Sequence, residues 1–227
     1  MDDDTVKIDP ELQNAFPGLR VLELKMVGLT VKSSDARLDA LKLEVQNDVR
    51  LKISALERIK EQPIFRAYRD FFWRVGIDPT KIRPAGEALT RRILSGRDLP
   101  RVNTVVDAYN LASIQTSIAI AAFDGERVDA DSLRMRKAAK NEPFHGIGMD
   151  SPSLLTGVEV VIEDLTSRDL IAVYPYRDSE ASKITEKTTE VLFMMCGVPG
   201  VEISSLENAC SLTNEHVGNF CCGSPAR

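Results

Sequence analysis

The sequence is poor in the residues that bind metals or form cross-links. It contains two histidines and four cysteines among 227 residues, and the cysteines lack the paired spacing of a zinc site. They also form no framework typical of disulfide-stapled secreted proteins, so we interpret them as free thiols in a reducing cytoplasm. The sequence therefore predicts a cytoplasmic protein with no metal site and no cofactor.

Long apolar runs and glycine-rich phosphate loops are missing too. The longest apolar runs, 118–123 and 191–196, are far shorter than the roughly 20 residues of a membrane-spanning helix. Residues 1–4 are a methionine and three aspartates rather than a charged and then apolar leader, so nothing supports secretion. There is no Gly-x-Ser-x-Gly turn either. We expect no membrane partner and no common nucleotide-binding or serine-hydrolase site.

Charge is unevenly distributed along the chain. The formal net charge is −5, which argues against a protein that coats nucleic acid by charge alone. Between Lys81 and Lys140, however, eleven lysines and arginines stand against seven aspartates and glutamates, so this stretch is positive. A local basic surface is one interpretation, and a set of separately solvated charges is the other.

The first third of the chain predicts one strand and two helices. Alternating apolar residues over 19–31 predict a strand with a bulge at Gly28. Asp35 can cap a long helix whose apolar period continues until Pro63. An aromatic stripe predicts a second helix over 64–75, and this stripe is more typical of a core than of a base-stacking surface.

The second half predicts mainly strands. Short apolar segments separated by polar turns indicate strands at 118–123, 133–136, 158–162, 170–174 and 191–196. The spacing of Ser204 and Glu207 predicts a capping box and a last helix to about Leu212. From His216 onwards we expect a poorly ordered tail. Helices first and mixed strands afterwards predict the α+β class.

Residues 83–110 form the most informative stretch. Pro84 and Gly96 bracket one predicted helix, at its first position and at a left-handed C-terminal cap. The polar face of this helix carries Glu87 and Arg91. A second helix is predicted to begin at Asn103, which can cap it.

That second helix carries an unusual polar strip. Asn103, Asp107 and Asn110 are spaced so that they lie on one helix face. Asn and Asp compete with the backbone for hydrogen bonds and are weak helix formers, so three on one stripe need a reason. One reason is local capping on a solvated face. The other is a strip that holds a loop or a ligand.

The same stretch resembles a known family. The similarity is to the domain called B3/B4, best known from the β subunit of phenylalanyl-tRNA synthetase. It rests on Arg83-Pro84, Glu87-Ala88-Leu89-x-Arg91-Arg92, Leu99-Pro100-x-Val102-Asn103-x-x-Val106-Asp107-x-x-Asn110, Phe123-Asp124, 133–138, Asn141-Glu142-x-Phe144 and Thr185-x-x-Thr188-Thr189. The N-terminal third and Tyr174–Ser179 are more similar to free-standing B3/B4 proteins.

The resemblance implies a fold and a domain organisation. We expect a B3/B4-like sandwich of mixed sheets with flanking helices over residues 81–215. A strand and a helical hairpin in residues 1–80 would pack on it, and residues 216–227 would form the tail.

The resemblance also implies a function. In the synthetase this domain hydrolyses tyrosine wrongly attached to the tRNA for phenylalanine. We therefore expect a protein that binds the aminoacyl end of tRNA and hydrolyses mischarged aminoacyl-tRNA in trans. Two departures argue for a different substrate: Tyr174–Ser179 replaces the family's Gly-x-Met-Gly-Gly turn, and Met194 stands where a glutamate is expected.

Two loops add candidate site residues. His145 lies between glycines and can position water or carry a proton, or be purely structural. Tyr176 can stack on a base and Arg177 can bind a phosphate or carboxylate, although Arg177 and Asp178 can equally form a local ion pair. The candidate catalytic residues are His145 and Asp107. The candidate ligand-binding residues are Asn103, Asp107, Asn110, Glu87, Arg91, Tyr176 and Arg177.

Three functions fit these observations. The first is binding and hydrolysis of aminoacyl-tRNA, and the second is non-catalytic binding of an amino acid or small metabolite. The third is a subunit that docks on a synthetase through its N-terminal helices. Converging basic residues beside a polar cavity favour the first, a closed cavity with an acidic rim favours the second, and an exposed apolar face on 35–75 favours the third.

Overall fold

The helices lie mostly in the first half of the chain and at its end. The computed structural model describes residues 6–53, 56–221 and 224–225. No helix in these ranges is long and apolar enough to span a bilayer. The helices are α1 (Pro10–Ala15), α2 (Ala36–Lys52), α3 (Pro63–Arg74), α4 (Ala85–Leu94), α5 (Thr104–Thr116) and α6 (Ile203–Cys221), with a 3₁₀-helix at Leu56–Glu61.

The first long helix, α2, is shorter than predicted. Asp35 caps it, because the carboxylate accepts hydrogen bonds from two N–H groups of the first turn. The helix ends at Lys52, since Ile53 adopts extended backbone angles. The prediction that it continues to Pro63 is wrong. Apolar residues three apart in 56–61 fit the 3₁₀-helix that forms there equally well.

The strands form two larger sheets and one small one. The five-stranded sheet has the order β1-β4-β7-β8-β9, the four-stranded sheet has the order β11-β2-β10-β3, and β5 pairs with β6. Only the β1–β4 pairing is parallel among the described strands. The strands are β1 (Lys7–Ile8), β2 (Arg20–Val27), β3 (Ile120–Asp124), β4 (Leu133–Lys137), β5 (Pro143–Phe144), β6 (Ser153–Leu154), β7 (Val160–Asp164), β8 (Leu170–Tyr174), β9 (Arg177–Asp178), β10 (Glu190–Gly197) and β11 (Ser224–Pro225).

This architecture confirms the predicted α+β class. All five strands predicted for the second half of the chain form, each within two residues of its predicted bounds. Helices α5 and α6 pack on the four-stranded sheet, and residues of both larger sheets and of helices α2 to α6 share one hydrophobic core. Its largest fully buried side chains include Tyr68, Phe72, Phe123 and Phe193.

The strand β2 ends earlier than predicted. It covers Arg20–Val27 and pairs with β10 along its whole length. Gly28 adopts a φ of +69°, which ends the strand instead of forming a bulge within it. Leu29 and Val31 lie beyond the strand and are still buried, so their apolar character reflects burial rather than sheet pairing.

The last helix is longer than predicted. It runs to Cys221, so the expectation of poor order from His216 is wrong for residues 216–221. The helix continues because apolar side chains of its last turns are buried. His216 is buried as well, and its Nε2 lies 2.7 Å from the Gln115 Oε1 of α5. Of the remaining tail, 222–223 and 226–227 lie outside the described residues.

The two larger sheets meet at one edge of each. β3 is an edge strand of the four-stranded sheet, and β9 is an edge strand of the five-stranded sheet. A tight turn at 175–176 joins β8 to β9, and β8 is fixed at its end by Tyr174. The Tyr174 hydroxyl donates to the Gly197 carbonyl at 2.9 Å in the other sheet. The β8–β9 hairpin is therefore held against the four-stranded sheet.

Candidate functional site

A cavity of about 160 Å³ lies where these sheet edges meet, and we call it the seam cavity. Its walls are Tyr109 and Asn110 of α5, residues 119–121 at the start of β3, and residues 172–178 of the β8–β9 hairpin. Ala85 of α4 also contributes to the lining. Small alanines next to polar side chains leave room for a ligand with both apolar and polar parts.

Asp178 is the acidic group of the seam cavity. Asp178 and its neighbour Arg177 both line the cavity, and their side chains bind different partners. The Asp178 Oδ2 accepts a hydrogen bond from the Ala122 N–H at 3.3 Å, a backbone donor on the free edge of β3. Burial raises the pKa of Asp178 to about 7, and the Ala122 hydrogen bond opposes this shift. Such a carboxyl group can take up or release a proton near neutral pH.

No cation among the described residues pairs with Asp178. The predicted alternative of an Arg177–Asp178 ion pair is wrong, because the Arg177 guanidinium binds elsewhere. Its Nη2 donates to the Tyr176 hydroxyl at 2.7 Å and its Nη1 donates to the Ile147 carbonyl at 3.0 Å. The carboxyl group of Asp178 therefore keeps its raised pKa instead of being held ionised by a salt bridge.

Two residues of α5 complete the polar lining. The Asn110 side chain has no hydrogen-bond partner among the described residues, so its amide is free to bind a ligand. Tyr109 packs edge-on against Phe193, with ring centroids 6.0 Å apart. Burial raises the pKa of Tyr109, and the nearby Asp178 and Asp107 carboxylates raise it further. Its hydroxyl therefore stays protonated and can donate a hydrogen bond.

Tyr176 and Arg177 lie together on the wall of the seam cavity. The Arg177 guanidinium lies over the Tyr176 ring, 4.9 Å from its centroid. Gly146 allows this arrangement, since a Cβ there would be 2.3 Å from the Arg177 Cδ. Both side chains are half-buried, so each retains a surface that a ligand can contact.

His145 does not line the seam cavity. Its Nε2 lies 2.8 Å from the Met149 carbonyl within the same loop. Its backbone carbonyl accepts a hydrogen bond from the Glu180 N–H at 3.0 Å. These contacts join the 145–149 loop to the segment after β9. His145 therefore helps to hold this loop beside the β8–β9 hairpin.

The predicted polar strip on α5 is divided between different environments. The Asn103 Oδ1 accepts from the Val106 N–H at 2.9 Å and caps the helix. The Asp107 Oδ2 lies 2.5 Å from the Lys42 Nζ of α2, and both side chains are buried. Its Oδ1 accepts from the Val102 N–H at 3.1 Å. Of the three strip residues, Asn110 is the one that reaches the seam cavity.

Glu87 and Arg91 also lie away from the cavity lining. Glu87 is fully buried and accepts hydrogen bonds from Arg91 Nε at 2.7 Å and from Arg69 Nη1 at 3.2 Å. This cluster fixes α4 to α3. It therefore sets the position of Ala85, which lines the seam cavity at the start of α4.

Residues 67–222 match the family model described as the B3/4 domain. This chain belongs to the B3/4 domain family. A solved N-terminal fragment of the phenylalanyl-tRNA synthetase β-subunit from Pyrococcus horikoshii is similar in structure, with a TM-score of 0.53 at 12% identity. The similarity covers 99% of this chain and 51% of that chain, so this chain spans about half the length of the fragment. No curated protein matches the chain.

The match confirms the family that the motif residues predicted, and it includes every residue of the seam cavity. At this identity, the likeness to the synthetase fragment establishes a shared fold. Asp178 and Tyr109 were not among the candidate site residues predicted from the sequence, although both line the cavity. The signal available for Asp178 was its place directly after the candidate residues Tyr176 and Arg177.

Proposed function

We propose that this B3/4 protein binds the aminoacylated 3′ end of a tRNA and hydrolyses the ester bond of a wrongly attached amino acid in trans. The observation that carries the proposal is the seam cavity, in which burial raises the pKa of Asp178 to about 7 and an unpartnered Asn110 amide is available. The B3/4 fold, shared with part of a tRNA synthetase subunit, supports an aminoacyl ester as substrate.

The volume of the cavity suits an amino-acid side chain rather than a nucleotide. A cavity of about 150 Å³ in another protein holds one benzene molecule. The seam cavity, at about 160 Å³, admits a side chain of similar size. The aminoacyl group enters the cavity, and the terminal adenosine stays outside it. Tyr176 provides a ring on which that base can stack.

Asp178 acts as the general base of the hydrolysis. In its ionised form it removes a proton from a water molecule, whose oxygen attacks the carbonyl carbon of the ester. The Asn110 amide donates a hydrogen bond to the oxyanion that forms on the carbonyl oxygen. The bond between that carbon and the ribose oxygen then breaks. The ribose hydroxyl leaves with the proton that Asp178 returns.

This chemistry does not need a strong nucleophile. Aminoacyl esters are activated, so a positioned water and a stabilised oxyanion supply the main part of the catalysis. That requirement agrees with a cavity whose Cys196 thiol is buried and has a raised pKa, because burial keeps the thiol protonated.

The test is deacylation of a panel of tRNAs, each charged with a correct or an incorrect amino acid. Wild-type protein is expected to release one or a few incorrect amino acids, and Asp178→Asn is expected to lower this rate by about 100-fold or more. Asp169→Asn is the matched control, since Asp169 is exposed and does not line the cavity. Retention of the full rate in Asp178→Asn would exclude Asp178 as the base.

A second function, non-catalytic binding of an amino acid, is favoured by the same cavity volume. It predicts that free amino acids bind the wild-type protein while every charged tRNA remains intact. Calorimetric titration with single amino acids, run beside the deacylation panel, separates the two functions. If Asn110→Ala loses amino-acid binding and wild type hydrolyses no charged tRNA, the cavity is a non-catalytic binding site for an amino acid.

A further inference from the structure

The segment around α4 carries more basic than acidic side chains. Between Lys81 and Arg97 the basic residues are Lys81, Arg83, Arg91, Arg92 and Arg97, and the single acidic residue is Glu87. Glu87 is fully buried beneath Arg69 and Arg91, so it presents no negative charge to solvent. The exposed charges between Lys81 and Arg97 are therefore all basic. The nearest carboxylates lie at the ends of the segment, where Asp78 pairs with Lys81 at 3.9 Å and Asp98 follows Arg97.

These charges lie beside a helix face with small side chains, and this face begins at the seam cavity. Ala85 and Ala88 are exposed and lie on the same side of α4 as Arg92. Ala85 also lines the cavity. The ten residues of α4 extend about 15 Å from this point. Small side chains here let a bulky polymer approach the helix closely.

The side chains of two arginines at the ends of this face have no partner among the described residues. Arg83 precedes α4 and Arg97 follows it, and both are exposed. Neither forms a hydrogen bond through its guanidinium nor an ion pair within that part of the chain. Arginines that stabilise a fold normally have carboxylate or carbonyl partners, as Arg69 and Arg134 do here. Arg83 and Arg97 are thus available to an external anion.

We propose that the outer face of α4, from Arg83 to Arg97, binds the phosphodiester backbone of the single-stranded end of an RNA. Regularly repeated phosphates complement a face that has an unpartnered guanidinium group at each end and no exposed carboxylate between them. The direction of the strand towards the cavity rests on the proposed function. The binding of RNA phosphates by this face does not.

The test is salt-dependent binding of a labelled RNA hairpin that carries a single-stranded CCA end. The double variant Arg83→Ala/Arg97→Ala is expected to bind more weakly at low salt. Each lost phosphate contact should lower the slope of log affinity against log salt by about 0.7, so the pair should lower it by about 1.4. The matched control is Lys25→Ala/Lys187→Ala, which removes the same charge from exposed residues outside α4.

The outcomes separate this surface from the hydrolytic site. Hydrolysis of a tRNA-free aminoacyl ester should be unchanged in the α4 double variant, because neither arginine lines the seam cavity. An unchanged salt slope in that variant, or an equal decrease of the slope in the lysine control, would overturn the proposal that the α4 surface binds RNA. This conclusion would hold whether or not the protein hydrolyses aminoacyl-tRNA. Absence of deacylation by wild type would overturn the proposed hydrolysis alone, since RNA binding is measured without it.

Discussion

The Asp178 carboxylate accepts a hydrogen bond from the Ala122 N–H, and the contact joins the edge strands of two different sheets. An edge strand has backbone donors without a strand partner, and Asp178 satisfies one of them. Burial at this position raises the pKa of the carboxyl group, and no cation among the described residues pairs with it. A structural contact between two sheets thereby creates a group that can exchange protons in a cavity.

The raised pKa of Asp178 makes the stability of the protein depend on pH. It rises from the usual 3.8 to about 7, so the folded state holds this proton more tightly than the unfolded chain does. The stabilisation is present below about pH 4 and is lost as the pH rises through about 7. Asp178→Asn cannot ionise, so it should be more stable than wild type at about pH 8, by up to about 4 kcal/mol.

Urea denaturation of both proteins at about pH 4 and pH 8 measures this difference. The advantage of Asp178→Asn should be small at the lower pH, where Asp178 is protonated in wild type as well. Equal stability at the higher pH would show that the carboxylate is well solvated.

The Asn110 amide is expected to matter for the chemical step. Asn110→Ala removes the donor proposed for the oxyanion and should lower the deacylation rate by about 100- to 1000-fold. Single-turnover measurements with saturating enzyme isolate this step from binding. Asn208→Ala is the matched control, because Asn208 is exposed on α6 and should retain the full rate. A rate loss of equal size in the control would contradict the proposal that Asn110 donates a hydrogen bond to the oxyanion.

Asp107 is expected to stabilise the fold rather than to contact substrate. Asp107→Ala leaves the buried Lys42 ammonium without its carboxylate, which should destabilise the protein by about 3–5 kcal/mol. The double variant Lys42→Met/Asp107→Leu removes both charges and should recover most of this loss. Urea denaturation measures both. A stable Asp107→Ala protein that no longer binds its ligand would instead restore Asp107 to the site.

Gly146 is expected to be required for the position of Arg177. A Cβ at residue 146 would lie 2.3 Å from the Arg177 Cδ and 2.8 Å from the Phe144 Cε1. Gly146→Ala should therefore destabilise the protein by about 1–3 kcal/mol. In an Arg177→Ala background the closest overlap is gone, so the same change should cost less. Equal costs in thermal unfolding would show that the two residues are not coupled.

Local features of the fold were predictable because their causes are local. Asn103 caps α5 as its spacing indicated, and Gly96 follows α4 with a φ of +71°. Pro84 lies at the N-cap of α4 rather than at its first helical position. The end of α2 at Lys52 was missed because apolar residues three apart suit a 3₁₀-helix as well as an α-helix.

The candidate site was predictable only in part, because its central contacts join distant segments. Asn110, Tyr176 and Arg177 do share a cavity. The pairing of Asp107 with Lys42 spans 65 residues, and the contact between Asp178 and Ala122 spans 56. No spacing rule within one helix or strand reports such contacts. The family resemblance predicted a sandwich of sheets, but it did not predict which residues meet at the edges of those sheets.

The most direct test of the account is the pH dependence of single-turnover deacylation by wild type and by Asp178→Asn. In wild type the rate should rise with pH and level off above an inflection near 7, because the base must be ionised. In Asp178→Asn the rate should be low and should lack this inflection. An identical inflection in both proteins would contradict the assignment of Asp178 as the general base of the seam cavity.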